Sequence, residues 1–142
     1  MHARAVRLLA RREHTRAELA RKLAPHGTPD EIDTVLNDLA QNGLQSDARF
    51  AESYLRSQAG RFGAARLRQT LRQKGVDPEL VAEQVVDLPD ELVRARGVWS
   101  RKFDAPPAGA QEWARQARFL QGRGFSVEII RKVLKWSMDE ET

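Results

Sequence analysis

Positive charge is the chemistry this sequence offers most plainly. Between Arg49 and Lys74 stand seven cations (Arg49, Arg56, Arg61, Arg66, Arg68, Arg72 and Lys74) against one anion, Glu52. The segment nets +6 in a chain that nets +4, so a row of guanidinium groups is presented to some acidic partner, a nucleic acid or an acidic protein surface. Bond-making chemistry has no comparable support. His2, His14 and His26 are isolated beside helix ends or the terminus, lack a carboxylate at ligand spacing, and read as surface residues. Ser46, Ser53, Ser57 and Ser126 have no base at a motif position, and the Gln121–Gly124 run lacks the strand and lysine of a phosphate loop. Cysteine is absent, which removes thiolate nucleophiles and suits a reducing, cytoplasmic setting. No catalytic residue, metal or cofactor is therefore expected, and no apolar run reaches membrane-spanning length.

These cations are positioned by a repeat. Leu71, Gly75, Glu79 and Leu80 match Leu23, Gly27, Glu31 and Ile32 upstream and Leu120, Gly124, Glu128 and Ile129 downstream, at offsets of 48 and 49 residues. Three copies at near-constant period indicate stacked supersecondary units. Thr15 with Glu18, and Thr28 with Pro29 and Glu31, carry capping-box and first-turn signals for helices, while glycines at 27, 43, 75 and 124 stop them. Ile is confined to positions 32, 129 and 130, and no period-two run of β-branched residues exists. The expected fold is all-α: three tandem three-helix repeats at 1–45, 46–88 and 89–142, the third with a longer Pro-rich loop at Asp104–Gly109, stacked into an elongated, curved array. Gly97 makes the helix around Leu92–Trp99 the least secure. The aromatic residues of the third repeat fit core packing, with Phe125, between two helices, the best candidate for exposure and base stacking.

Charge follows the helices. No Lys or Arg occurs from Pro25 to Ala48 or from Gly75 to Val93, where eleven acids stand. Helix, glycine turn and helix also describe a helix-turn-helix, so an autonomous DNA-binding protein is the rival reading. An acidic third helix is a poor guest for a major groove, and only Val127–Trp136 could act as a recognition helix.

LLARREHTRAELARKL, SDARFAESYLRSQAGRFGAARLRQTLRQKGVDPELV and ARFLQGRGFSVEIIRKVL resemble the successive motifs of the RecX family of regulatory proteins. The middle motif is the most specific, through Asp47, Arg49-Phe50-Ala51, Tyr54 and the run from Arg72 to Gly75. Ser46-Asp47 stands where the family has an acidic pair, and the first repeat is expected to open the chain, with no leader before it. The resemblance implies a non-enzymatic modulator, mainly an inhibitor, of the RecA recombinase in homologous recombination, DNA repair and the SOS response. It implies a monomer that lodges in the groove of the RecA–DNA filament and restrains its growth, ATP hydrolysis and strand exchange. DNA contact, to single or double strands, is expected to lack sequence preference. The candidate contact residues are the seven cations of the middle segment together with Arg115, Arg118 and Arg123.

Overall fold

The computed structural model describes residues 1–140 and, among them, only helices. The α-helices are α1 (His2–Arg11), α2 (Arg16–Leu23), α3 (Pro29–Gln41), α4 (Asp47–Gln58), α5 (Ala64–Gln73), α6 (Pro78–Val85), α7 (Glu91–Lys102), α8 (Ala110–Gly122) and α9 (Val127–Glu140), with a short 3-10 turn at Ala24–His26. Both sequence-read capping boxes are formed. Thr15 Oγ1 accepts from Glu18 N–H and Glu18 Oε1 accepts from Thr15 N–H, each at 3.0 Å. Thr28 and Glu31 repeat the arrangement at the start of α3. Helix α7 runs through Gly97 without interruption.

Packing sorts the chain into two compact units. The first comprises Met1–Tyr54 and Thr70–Gln84, the second Leu55–Gln69 and the chain from Val85 onward. The first unit's core is built from Ala5, Leu19, Leu23, Ile32, Leu36 and Leu39. In the second unit Trp99, Phe103, Phe125, Leu120, Val133 and Leu134 lead a more aromatic core. Phe125 is 3% exposed, so the aromatic expected at the surface is a core residue instead: the glycine turn folds its ring inward, where burying its area is worth about 1.5–3 kcal/mol. Buried Gln116 fixes the Pro-rich loop by accepting from the Trp99 indole at 2.8 Å and donating to the Ala105 carbonyl at 3.1 Å.

Each unit contains the same joint. Inside the first, the N-terminus of α2 meets the C-terminal end of α5: Thr15 Oγ1 donates to the Lys74 carbonyl at 2.7 Å. Inside the second, the N-terminus of α5 meets the C-terminal end of α8, and Gly63 N–H donates to the Arg123 carbonyl at 2.7 Å. Opposed helix ends satisfy one another's orphan groups and align their dipoles head to tail. The two closing glycines, Gly75 and Gly124, have φ of +88° and +93°, and a Cβ on either would strike Ala17 or Arg66. Only glycine tolerates both the left-handed backbone and the close approach. Gly27, the first copy of the repeat glycine, is extended instead (φ −174°) and follows the 3-10 turn; it closes no such joint, so it has no need of the left-handed conformation.

A carboxylate from the next repeat completes each joint. Asp47, opening α4, accepts from Arg16 N–H at 2.9 Å. Glu91, opening α7, accepts from Ala64 N–H at 3.1 Å. Both anions sit where a helix N-terminus is electropositive.

Candidate partner and nucleic-acid interface

The ten cations nominated from sequence divide by what they touch. Several are engaged in holding the fold. Arg49 forms a two-pronged pair with Glu13 (2.6 and 3.3 Å) and also donates to the Gly43 and Leu44 carbonyls. Its hydrogen bond to Glu13 keeps the guanidinium pKa raised. Lys74 Nζ lies 3.7 Å from Glu18 Oε2, Arg66 Nη1 donates to the Gly122 carbonyl at 2.8 Å, and Arg115 pairs with Glu112 at 2.6 Å. Arg56 is exposed at the end of α4 and has an interaction of its own. Arg68, Arg72 and Arg118 are exposed and have no ion pair among the described residues. Arg68 and Arg72 lie one turn apart on α5.

Arg61, Arg66 and Arg123 are brought together around aromatic rings of the second unit. Phe62 carries the Arg66 guanidinium at 4.1 Å, Arg123 at 5.5 Å and Arg61 at 5.7 Å from its centroid. Phe119 carries Arg123 at 5.2 Å and Lys102 at 5.4 Å. Cation–π contact orients these flexible side chains while leaving their N–H edges open. Beside them is a cleft of about 210 Å³ lined by Arg61, Val98, Arg101, Lys102, Phe119 and Arg123, with four cations and no carboxylate. Sequence reasoning missed Phe62, Arg101 and Lys102. Arg101 and Lys102 close α7 and read as ordinary dipole-complementing residues; the available signal was aromatic Phe62 between the two cationic positions 61 and 66.

The first unit contains a buried polar hub that the sequence did not reveal. His14, read as a surface residue, is 2% exposed. Its Nδ1 donates to the Arg12 carbonyl at 3.0 Å, and its Nε2 faces Lys22 Nζ at 3.3 Å. Burial, together with the charges of Arg12 and Lys22, lowers the imidazole pKa and keeps it neutral. The histidine is buried because the turn between α1 and α2 is covered by Gln45, which donates to the His14 carbonyl at 3.4 Å. Nearby, burial pushes the Glu18 carboxyl up, but the Thr15 N–H with Arg12 and Lys74 more than offsets it, and the net shift is downward. Among the described residues no cluster of His, Asp or Glu could hold a metal ion, and no helix is long and apolar enough to cross a membrane.

Three family models match in series: RecX first three-helix domain at residues 2–39, second at 46–83 and third at 89–134. The chain belongs to the RecX family. Regulatory protein RecX of Leptothrix cholodnii is 51% identical over 141 residues, covering 95% of this chain and 87% of that protein. Regulatory protein RecX of Chromobacterium violaceum is 45% identical over 142 residues, covering 99% and 93%. In fold, the crystal structure of RecX from Lactobacillus salivarius superposes with a TM-score of 0.80 at 20% identity, over 94% of this chain and 92% of that one. The three matches in series agree with an all-α chain of three tandem three-helix repeats.

Proposed function

We propose that this RecX protein is a non-enzymatic modulator, mainly an inhibitor, of the RecA recombinase. It acts in the cytoplasm as a monomer, binding in the groove of the RecA–DNA filament and restraining filament growth, ATP hydrolysis and strand exchange. Family membership supports the regulatory role. The observation that carries the contact surface is the pair Arg68 and Arg72, exposed one turn apart on α5 with no ion pair among the described residues; Arg118 on α8 is likewise exposed and unpaired. Cations that stabilise a fold are ordinarily engaged, as Arg49 and Arg115 are here; unpaired ones one turn apart on a helix, as Arg68 and Arg72 are, suit an acidic partner. DNA contact through such groups is electrostatic and blind to sequence.

The test is Arg68→Glu/Arg72→Glu. Leu67 and Leu71, the buried residues of α5, are untouched, so the variant should melt like the parent. It is expected to lose its ability to slow recombinase ATP hydrolysis on DNA. Unchanged inhibition by the folded variant would move the contact surface off α5. Equal loss of affinity for bare DNA and for the filament would favour the rival, an autonomous DNA-binding protein, for which α9 offers exposed Arg131, Lys132 and Lys135.

A further inference from the structure

The two units carry equivalent clefts with opposite electrostatic furnishing. Repeat register aligns Glu13 with Arg61, His14 with Phe62 and Glu18 with Arg66 at the 48-residue offset, and Lys74 with Arg123 at 49. The register is physical, since Leu19 and Leu67, and likewise Leu23 and Leu71, are wholly buried. The first helix of each unit's later repeat aligns Tyr54 with Val98 when Asp47 and Glu91 are matched. In the first unit a cleft of about 290 Å³ is lined by Arg12, Glu13, Phe50, Ser53, Tyr54 and Lys74. Three of those positions reappear as Arg61, Val98 and Arg123 in the second unit's cleft.

In the first cleft every cation is answered. Arg12 and Lys74 both face Glu18, at 3.4 and 3.7 Å, and Glu13 is held by Arg49. In the second, both glutamates have become arginines, and the Glu18–Lys74 ion pair is replaced by Arg66 and Arg123 sharing the Phe62 ring. Three arginines do spend some of this charge on two helix ends, those of α4 and α8. Arg94 donates to the Ala59 and Phe62 carbonyls, Arg101 to the Gly60 carbonyl and Arg66 to the Gly122 carbonyl. Arg61, Lys102 and Arg123 remain over: among the described residues they have no hydrogen-bonded acceptor or ion pair, only rings. The joint itself does not require this, because the same joint in the first unit closes with a glutamate–lysine pair.

We infer that the second unit's cleft is a phosphate site for the backbone of single-stranded nucleic acid, with Arg61, Lys102 and Arg123 as its donors and Arg101 shaping its wall. Three convergent cations match the charge and the several acceptor oxygens of a phosphodiester better than a lone carboxylate. Phe62 and Phe119 keep the guanidinium planes in place before the ligand arrives, which lowers the ordering cost of binding. The inference deepens the reading of the protein as one that works on recombinase-coated DNA, and it adds a DNA contact beyond the exposed cations of α5.

The experiment uses the full chain and a short fluorescein-labelled oligothymidylate, with anisotropy read across a series of NaCl concentrations. Arg61→Gln/Lys102→Gln changes two exposed side chains outside the core, and Arg7→Gln/Arg21→Gln removes the same charge from exposed positions of the first repeat. The cleft pair is expected to weaken binding on the order of tenfold and to flatten the slope of log affinity against log salt by about 1.4, two single-strand contacts' worth. The control pair should leave that slope at the parent value. Equal flattening by both pairs, or none by the cleft pair, overturns the inference. So does thymidine monophosphate binding as tightly as the oligonucleotide, which would make the cleft a free-nucleotide pocket. A parent that binds the oligonucleotide through the cleft yet leaves recombinase ATP hydrolysis unaffected would sink the proposed function and leave the phosphate site standing.

Discussion

Adding one methyl group at Gly75 tests the joint inside the first unit. Gly75→Ala imposes two separable penalties. The left-handed backbone, φ +88°, costs an L-residue about 1–2 kcal/mol. The new Cβ would also lie 2.5 Å from the Ala17 Cβ, where carbon atoms prefer about 3.5–4 Å. Opening that gap by about 1 Å works against the hydrogen bond from Thr15 Oγ1 to the Lys74 carbonyl, and overpacking of this kind costs about 1–3 kcal/mol. The sum, about 2–5 kcal/mol, is a large share of a typical domain's stability. Gly75→Val adds β-branching and should be worse. Urea unfolding of the parent, Gly75→Ala, Ala17→Gly and the double variant separates the penalties. Removing the Ala17 methyl relieves the clash but not the backbone strain, so the cycle should give a favourable coupling of about 1 kcal/mol or more. Zero coupling would show that α2 and α5 do not meet at these residues, and an unchanged midpoint for Gly75→Ala would remove the left-handed turn as well.

Arg94→Met keeps the unbranched stem of a buried side chain but strands the Ala59, Phe62 and Pro89 carbonyls that Arg94 serves; a loss of about 2–4 kcal/mol in urea unfolding is expected, and a loss under about 0.5 kcal/mol would refute that role. Acid should act in two steps. His14 has a lowered folded pKa, so the unfolded chain takes up the proton first, and stability present above about pH 6.5 declines as pH falls, by up to about 1.4 kcal/mol per unit. Glu18 has a lowered folded pKa too; its contribution is present above about pH 4.5 and lost as pH falls through the folded value. His14→Gln, able to donate to the Arg12 carbonyl and accept from Lys22, should erase the upper step alone; melting temperatures at pH 7, 5.5 and 4 decide, and equal slopes between pH 7 and 5.5 in parent and variant would contradict the buried neutral imidazole.

Helices and repeats were legible because their signals are local. The Thr15–Glu18 and Thr28–Glu31 boxes, the apolar spacing and the stop glycines each act within a few residues, and all formed as read. Burial across repeats was not local, and there the reading failed. His14 and Phe125 both sit beside helix ends, where sequence suggests exposure, yet contacts from Gln45 in one case and a nine-residue core in the other enclose them. The candidate site was half visible. Counting cations found Arg61, Arg66 and Arg123, but only the folded chain distinguishes Arg49, occupied by Glu13, from Arg61, occupied by nothing but a ring. Lys102 joins them from the end of α7, 41 residues after Arg61 and 21 before Arg123, beyond the reach of any spacing rule.

The joints also show that the period written in the sequence and the module that packs are out of phase by half a repeat. Helix α4 passes from one unit into the other after Tyr54, and α5 passes back after Gln69. A cut at the sequence boundaries of the middle repeat therefore falls between complete helices yet leaves no complete module: the first forty-five residues keep Thr15 but lose the Lys74 carbonyl and the Asp47 carboxylate that close α2. Melting that begins in the middle repeat removes residues from both units at once, whereas melting at either end removes them from one. The middle repeat is thus the keystone of cooperativity, and the excision that keeps a module whole must splice within helices, joining the first turns of α4 to the last turns of α7 and preserving one carboxylate cap and one closing glycine.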